Sequence, residues 1–205
     1  QNGVRGGSAT VHFPIWHKEI EDILVLKNNK GTEDNRVRKL DYSIQLSKLF
    51  YERFINDEEI TLFSPHEVPE LYDAWGSAEF DEVYIKAENR RNIFKKRIKA
   101  QELFMDMLKE RAETGRIYIM NIDHANDHSS FKDRVYMSNL CQEITLPTDP
   151  LQHIDGDGEI ALCILSAINV GKINKRDELQ PLCELAVRAL DEIIDHQQYP
   201  INAAE

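Results

Sequence analysis

The chain has 205 residues, of which 41% are hydrophobic, enough for one ordinary domain with its own core. Its formal net charge of -11 argues against a general nucleic-acid surface, and no apolar run reaches the roughly 18 residues needed to span a bilayer. The 3 cysteines are widely and unequally spaced, unlike a disulfide scaffold, so we expect a cytoplasmic protein that binds neither nucleic acid nor membrane.

The first part of the chain is predicted to alternate between strands and helices. Its predicted elements are a glycine-rich loop at 1–8, a strand at 10–13, a helix at 16–26, a polar loop at 27–34, a buried strand at 40–46, a helix at 49–55 and a strand at 60–63. The glycines of the first loop permit close approach of the backbone to a ligand.

Helical spacing of apolar residues dominates the second part. Helices are predicted around 80–87, over 100–114 with Gly115 as the residue that ends it, and over 177–198, where the amphipathic pattern is clearest. Strands are predicted at 116–122, 139–146 and 159–168, and the basic cluster at 90–99 as a solvated helix start. This alternation predicts an α/β fold with parallel strands.

Asn139, Cys141 and Glu143 occupy alternate positions of one short segment. In an extended chain alternate side chains point the same way, so one surface would carry a thiol flanked by an amide and a carboxylate. A cysteine in an apolar run is, taken alone, more often a small buried hydrophobe. A second thiol, Cys163, follows in the strand-like run 158–163.

Other candidate sites have simpler interpretations. His124 and His128 have the i, i+4 spacing of helical zinc ligands, but their polar segment is predicted as a solvated loop. The run 155–158 lacks the ligand spacing of a calcium loop and is predicted as a turn. Cys183 lies on the apolar stripe of the last predicted helix, where core packing is expected.

Several motifs in one order give the chain a family resemblance. They are the glycine-rich loop with Arg5, Trp16-His17, Leu26-Lys27-Asn28-Asn29, Thr114-Gly115-Arg116-Ile117-Tyr118, the Asn139 to Glu143 segment and the Glu159 to Cys163 segment. Together they resemble the middle of the large catalytic subunit of class I ribonucleotide reductase, nearly end to end. The similarity is strongest to the class Ia enzymes of bacteria and their phages.

The resemblance implies a fold and a set of roles. Residues 1–205 would form part of the ten-stranded α/β catalytic barrel, with residues 138–143 as its radical-cysteine finger loop. Cys141 would become a thiyl radical, Glu143 would take the proton of the substrate 3′-hydroxyl, and Asn139 would hydrogen-bond the substrate. Cys163 would be one of two redox thiols, with its partner outside this chain.

The resemblance also implies an allosteric link and several partners. Gln1 and Arg5, in the loop at 1–8, would respond to a deoxynucleoside triphosphate or ATP effector near the dimer interface. No cofactor would bind this segment directly, because the metal-containing small subunit supplies the radical. Expected partners are the remaining large-subunit segments, a second large subunit, the small subunit, thioredoxin or glutaredoxin, and ribonucleoside diphosphates.

The sequence therefore predicts part of a ribonucleoside-diphosphate reductase large subunit. The chain starts at Gln1 without Met, which leads us to expect an excerpt, a split-gene product or a spliced fragment that is inactive alone. The alternatives are a non-catalytic assembly fragment of a split subunit and, less favoured, a metal-dependent hydrolase using His124 and His128.

Overall fold

A computed structural model describes residues 6–204 of the chain. Gln1 and Arg5 therefore lie outside the described residues. The chain divides into two compact units, which meet in sequence between Pro147 and Thr148.

The first unit contains five strands and six helices among its described residues. In chain order they are β1 (Thr10–Pro14), α1 (Ile20–Leu24), β2 (Asp41–Leu46), α2 (Lys48–Ile55), β3 (Glu59–Phe63), α3 (Glu70–Asp73), α4 (Phe80–Glu88), β4 (Lys95–Lys99), α5 (Ala100–Thr114), β5 (Ile117–Asn121) and α6 (Ile122–Asp127), with a 3-10 turn at Glu33–Asn35. The helices predicted around 80–87 and over 100–114 are confirmed as α4 and α5, and Gly115 follows α5 with a left-handed φ of 65°.

Strands β1, β2 and β5 form a parallel sheet with β2 in the centre. The predicted α/β class with parallel strands is confirmed, and the described residues do not form a closed barrel. The register aligns His12 of β1 with Ser43 of β2, and Ser43 with Tyr118 of β5. Because side chains alternate along a strand, Thr10, His12, Ser43 and Gln45 share one face of this sheet.

The opposite face of the sheet is apolar and faces the main core. Ile44, Leu46 and Ile117 are buried there. The largest fully buried side chains of the unit are Trp16, Trp75, Tyr84, Phe50, Phe63 and Phe80. Burial of such apolar surface is the main favourable term in folding, so this core fixes the sheet that carries the polar face.

The helix predicted at 16–26 is shorter than expected, because it begins only at Ile20. Trp16 and Lys18 instead exchange backbone hydrogen bonds with Phe63, of 2.8 Å each, at the end of β3. A backbone engaged with a neighbouring strand cannot also form helical hydrogen bonds. Trp16 is thereby buried with its ring 5.8 Å from that of Trp75.

The prediction of a solvated helix start at 90–99 is wrong, because β4 occupies Lys95–Lys99 and pairs antiparallel with β3. Its sequence, Lys-Lys-Arg-Ile-Lys, offers one apolar side chain and so lacks the usual strand signal. Acidic side chains pair with two of these basic residues: Lys96 pairs with Glu21, and Lys99 lies 3.4 Å from the Asp57 carboxylate.

The strand predicted at 139–146 does not form, and neither does the one at 159–168. The first segment is a turn and irregular chain, stabilised by local hydrogen bonds described below. In the second, regular pairing is limited to a bridge between Asp149 and Glu159, and Ile160 donates its backbone N–H to the Ala203 carbonyl at 2.7 Å. An apolar run becomes a strand only where another strand pairs with it.

The second unit contains one long helix, α7 (Leu179–His196), within the predicted range 177–198. Three 3-10 turns accompany it, at Val170–Lys172, Arg176–Glu178 and Asn202–Ala204. No residue of α7 is buried, and Cys183 is exposed. The prediction that Cys183 packs in a core is therefore wrong for the described chain, since nothing in residues 148–204 covers the apolar stripe of α7.

Within residues 6–204, no helix combines the length and the apolar character that crossing a membrane requires.

Candidate active site

Cys141 lies in a tight turn and not in an extended strand. The Gln142 N–H donates to the Asn139 carbonyl at 3.2 Å, which makes residues 139–142 a four-residue turn with Cys141 at its third position. Gln142 has a left-handed φ of 64°. The prediction that the side chains at 139, 141 and 143 project from one face of a strand is therefore wrong, because the chain reverses between them.

Hydrogen bonds around Ile144 close the base of this turn. The Asn139 N–H donates to the Ile144 carbonyl at 3.2 Å, and the Ile144 N–H donates to Asn139 Oδ1 at 3.1 Å. Ser138 Oγ also donates to the Ile144 carbonyl, at 2.5 Å. Asn139 Oδ1 is thus used structurally, whereas Asn139 Nδ2 makes no hydrogen bond with a described residue and can donate to a ligand.

The turn lies on the polar face of β1 and β2. Thr10 Oγ1 donates to the Leu140 carbonyl at 2.7 Å. His12 Nε2 lies 3.0 Å from the Ser138 carbonyl and must donate, since a carbonyl oxygen only accepts. These contacts join residues about 130 positions apart and fix the turn against the sheet.

The segment leading to the turn is tied to the core through Gln45. Its Oε1 accepts from Trp75 Nε1 at 2.7 Å, and its Nε2 donates to the Tyr136 carbonyl at 2.5 Å. One residue earlier, the Asn126 side chain exchanges two hydrogen bonds of 2.9 Å with the Val135 backbone. Buried polar groups that are paired in this way specify one position for the chain.

Burial lowers the pKa of His12, although its hydrogen bond to Ser138 acts in the opposite direction. Nδ1 is buried and has no hydrogen-bond partner among the described residues. The neutral Nε2–H tautomer fits both observations. Protonation would place an unpaired N–H in the interior, which is costly.

The two reactive groups of the turn are accessible. Cys141 and Glu143 are both exposed, and neither forms a hydrogen bond or ion pair with a residue in the described part of the chain. A carboxylate without an internal partner is available as a general base, and a free thiol is available for redox chemistry. The turn therefore presents a thiol, a carboxylate and an amide donor within five residues of chain.

The other candidate residues lie elsewhere. Cys163 is an exposed free thiol in an irregular segment of the second unit. Gln1 and Arg5 are outside the described residues, so their roles stay predictions.

The loop predicted around the two histidines is wrong, because His124 lies in α6 and His128 directly follows it. Their ring centroids are 5.9 Å apart. A cavity of about 290 Å³ beside them is lined partly by Asp123 and Asp127. Burial, reinforced by Asp127, raises the pKa of the Asp123 carboxyl. Residues 6–204 contain no group of three or more His, Cys, Asp or Glu side chains able to hold a metal ion, so the hydrolase alternative gains no support.

Sequence reasoning missed the residues that hold the turn. Thr10 and His12 of β1, and Asp41, Ser43 and Gln45 of β2, are polar side chains that alternate with mostly apolar ones. Polar groups repeated every second residue in buried strands indicate a face that meets another polar segment. The sequence contains that signal, but it does not show which distant segment is the partner.

Comparison with known proteins assigns the chain to a family. The family model "Ribonucleotide reductase, barrel domain" matches residues 1–205. Among the relatives are proteins named ribonucleoside-diphosphate reductase subunit alpha from Haemophilus influenzae, 57% identical, from Buchnera aphidicola subsp. Schizaphis graminum, 56% identical, and from Enterobacteria phage T4, 47% identical. Each alignment covers 100% of this chain and 28% of the relative, so the chain spans little more than a quarter of their length. The chain belongs to the ribonucleotide reductase barrel-domain family.

Proposed function

We propose that this chain is the part of a ribonucleoside-diphosphate reductase large subunit that carries the radical cysteine, Cys141. The observation that carries the proposal is the turn at 139–142, which holds an unpaired thiol beside an unpaired carboxylate and a free amide donor. Its support on half-buried and buried polar side chains of β1 and β2 suits a reactive group whose position must be fixed. The names of the relatives agree with this chemistry.

The proposed reaction uses each of these groups. The Cys141 thiyl radical takes the 3′-hydrogen atom of the substrate, which forms an S–H bond and leaves a radical on the sugar. Glu143 removes the 3′-hydroxyl proton as general base, which makes departure of the 2′-hydroxyl as water feasible. Asn139 Nδ2 donates a hydrogen bond to the substrate near this position. Cys141 finally returns the hydrogen atom to the 3′-carbon and regains its radical, and Glu143 returns its proton to the 3′-oxygen.

Reduction requires two electrons, which the proposal assigns to Cys163 and a second thiol outside this chain. The two thiols supply two hydrogens and become a disulfide, while the 2′-hydroxyl becomes water and a hydrogen takes its place. Thiol–disulfide exchange with thioredoxin or glutaredoxin then restores the dithiol.

The remaining proposed partners follow from this assignment. A small subunit with a metal centre would supply the radical to Cys141, and the large subunit would act as a dimer with the segments outside this chain. In the loop at 1–8, Gln1 and Arg5 would transmit the identity of a deoxynucleoside triphosphate or ATP effector to the substrate site. Such coupling requires that the loop differ between effector states, which its glycines permit.

The test is Cys141→Ser in the complete large subunit, assayed with the small subunit and a reductant. A serine O–H bond is too strong for the oxygen to serve as the radical carrier, so reduction should be abolished while substrate binding stays nearly intact. Cys183→Ser is the matched control, because Cys183 is exposed on α7 and the proposed reaction does not use it. Substantial turnover by Cys141→Ser would overturn the proposal.

A further inference from the structure

Gln142 separates the two residues proposed to do the chemistry, and it adopts an uncommon backbone conformation. Its φ of 64° lies in the left-handed region, which residues other than glycine rarely occupy. Among the described non-glycine residues, Asp57 shares this feature, with φ 54°. A left-handed residue persists where other interactions hold it in place.

The Gln142 side chain provides such an interaction. Its Nε2 donates to Ser43 Oγ on β2. Ser43 is 0% exposed and lies on the central strand of the parallel sheet, so the sheet holds its hydroxyl in one position. Gln142 is the hydrogen-bond partner of this buried hydroxyl among the residues that the structure describes.

The tip of the turn is held on one side of Cys141 by the Thr10–Leu140 hydrogen bond and on the other side by Gln142. Cys141 and Glu143 make no hydrogen bonds within the described chain, whereas Gln142 makes one through its backbone N–H and one through its side chain. Gln142 is therefore the anchor that Cys141 and Glu143 share, and the Leu140 contact restrains only the N-terminal side of Cys141.

We infer that Gln142 is a positioning residue. Its hydrogen bond to Ser43 holds the Cys141 sulfur and the Glu143 carboxylate in the orientation in which both face the same substrate. The inference rests on the proposed function of those two residues. Gln142 itself touches no reacting atom, and it acts by holding the left-handed turn against β2. Loss of this bond leaves the turn closed at its base by Ile144 and held at Leu140 by Thr10, but it frees the part of the tip that follows Cys141.

Three substitutions separate the side-chain bond from the backbone conformation. Gln142→Gly removes the bond and makes the left-handed backbone easier to adopt. Gln142→Asn keeps an amide and tolerates this backbone, but it is one methylene too short to reach Ser43 in the same way. Ser43→Ala removes the bond from the other side. Asp57→Gly, at the other left-handed residue, is the matched control.

The experiment measures kcat, KM and melting temperature of these variants in the complete reductase. Gln142→Gly, Gln142→Asn and Ser43→Ala should each lower kcat about 10- to 100-fold, with KM changed less than about threefold, because a small misplacement of reacting groups acts mainly on the chemical step. The double variant Gln142→Gly/Ser43→Ala should be no slower than the slower single variant, since both remove one interaction. Asp57→Gly should have wild-type kcat.

Failure of this inference is distinguishable from failure of the proposed function. If Cys141→Ser is inactive while Gln142→Gly and Gln142→Asn turn over at the wild-type rate, the positioning role is wrong and the proposed function stands. Multiplicative losses in the double variant, or losses that follow melting temperature alone, would also overturn the positioning role. If Cys141→Ser keeps turnover, the proposed function fails and the inference fails with it.

Discussion

Replacing Gln45 with Met should loosen the segment that leads to the turn at 139–142. Gln45 is 2% exposed, accepts from Trp75 Nε1 at 2.7 Å and donates to the Tyr136 carbonyl at 2.5 Å. Methionine has a similar size and shape, so the substitution leaves no large cavity, but its thioether is at best a weak acceptor and donates nothing.

The size of the effect follows from the groups left without partners. Trp75 is 0% exposed, so its unpaired indole N–H should cost about 1–3 kcal/mol. The Tyr136 carbonyl loses a partly buried hydrogen bond, which adds about 1 kcal/mol. Water can hydrogen-bond both groups only when the segment opens. The free energy of opening should therefore fall by about 3 kcal/mol, which raises the opening equilibrium constant about 100-fold.

Hydrogen exchange measured by mass spectrometry in the complete large subunit tests this prediction. Peptides within 134–144 should exchange about 100-fold faster in Gln45→Met than in the wild type. Gln101→Met is the matched control, because Gln101 is exposed and donates one hydrogen bond, of 3.0 Å, to the Phe54 carbonyl. Unchanged exchange in Gln45→Met, or equal acceleration of this segment in Gln101→Met, would show that the Gln45 hydrogen bonds do not hold the segment closed.

Three further predictions concern other parts of the chain. Burial lowers the pKa of His12, so the stabilisation from its neutral form is complete above about pH 6.5 and is lost as the pH falls. The urea midpoint should therefore fall less between about pH 7 and about pH 5.5 in His12→Gln than in the wild type, and an equal fall in both would contradict this. Gly76 and Gly115 both have positive φ, but a Cβ at Gly76 would lie 2.6 Å from Asn126 Nδ2, whereas Gly115 faces open space. In urea unfolding, Gly115→Ala should therefore cost about 1 kcal/mol and Gly76→Ala about 3 kcal/mol, and equal costs would show that the contact is unimportant. Arg5→Ala should disturb the effector-dependent choice among ribonucleoside diphosphates in a competition assay more than it lowers the best rate, and an unchanged preference pattern would reject the role of Arg5.

Apolar periodicity was sufficient to predict much of the fold. The helices α4, α5 and α7 repeat apolar residues at helical spacing, and the α/β class follows from their alternation with strands. Apolar periodicity did not predict strand β4, because four of its five residues are basic. The strand forms by pairing with β3, which is distant in sequence.

In the candidate site too, local sequence predicted some features, whereas others depend on contacts between distant residues. Asn139, Cys141 and Glu143 were identified from residue type and order, but the alternate spacing that suggested a strand is equally compatible with a turn. The choice is made by contacts such as Thr10 with Leu140, 130 positions apart, which local sequence does not encode. The same applies to Gln142, whose importance becomes visible only once Ser43 lies beside it.

A single-turnover experiment shows whether Cys141 initiates a reduction whose electrons come from Cys163, as proposed. The complete enzyme, prereduced and then freed of external reductant, is given a ribonucleoside diphosphate, and product and disulfides are measured together. We expect the wild type and Cys183→Ser to form deoxyribonucleotide together with a disulfide that includes Cys163, and Cys141→Ser to form neither. Product from Cys141→Ser, or product from the wild type with Cys163 still a free thiol, would contradict it.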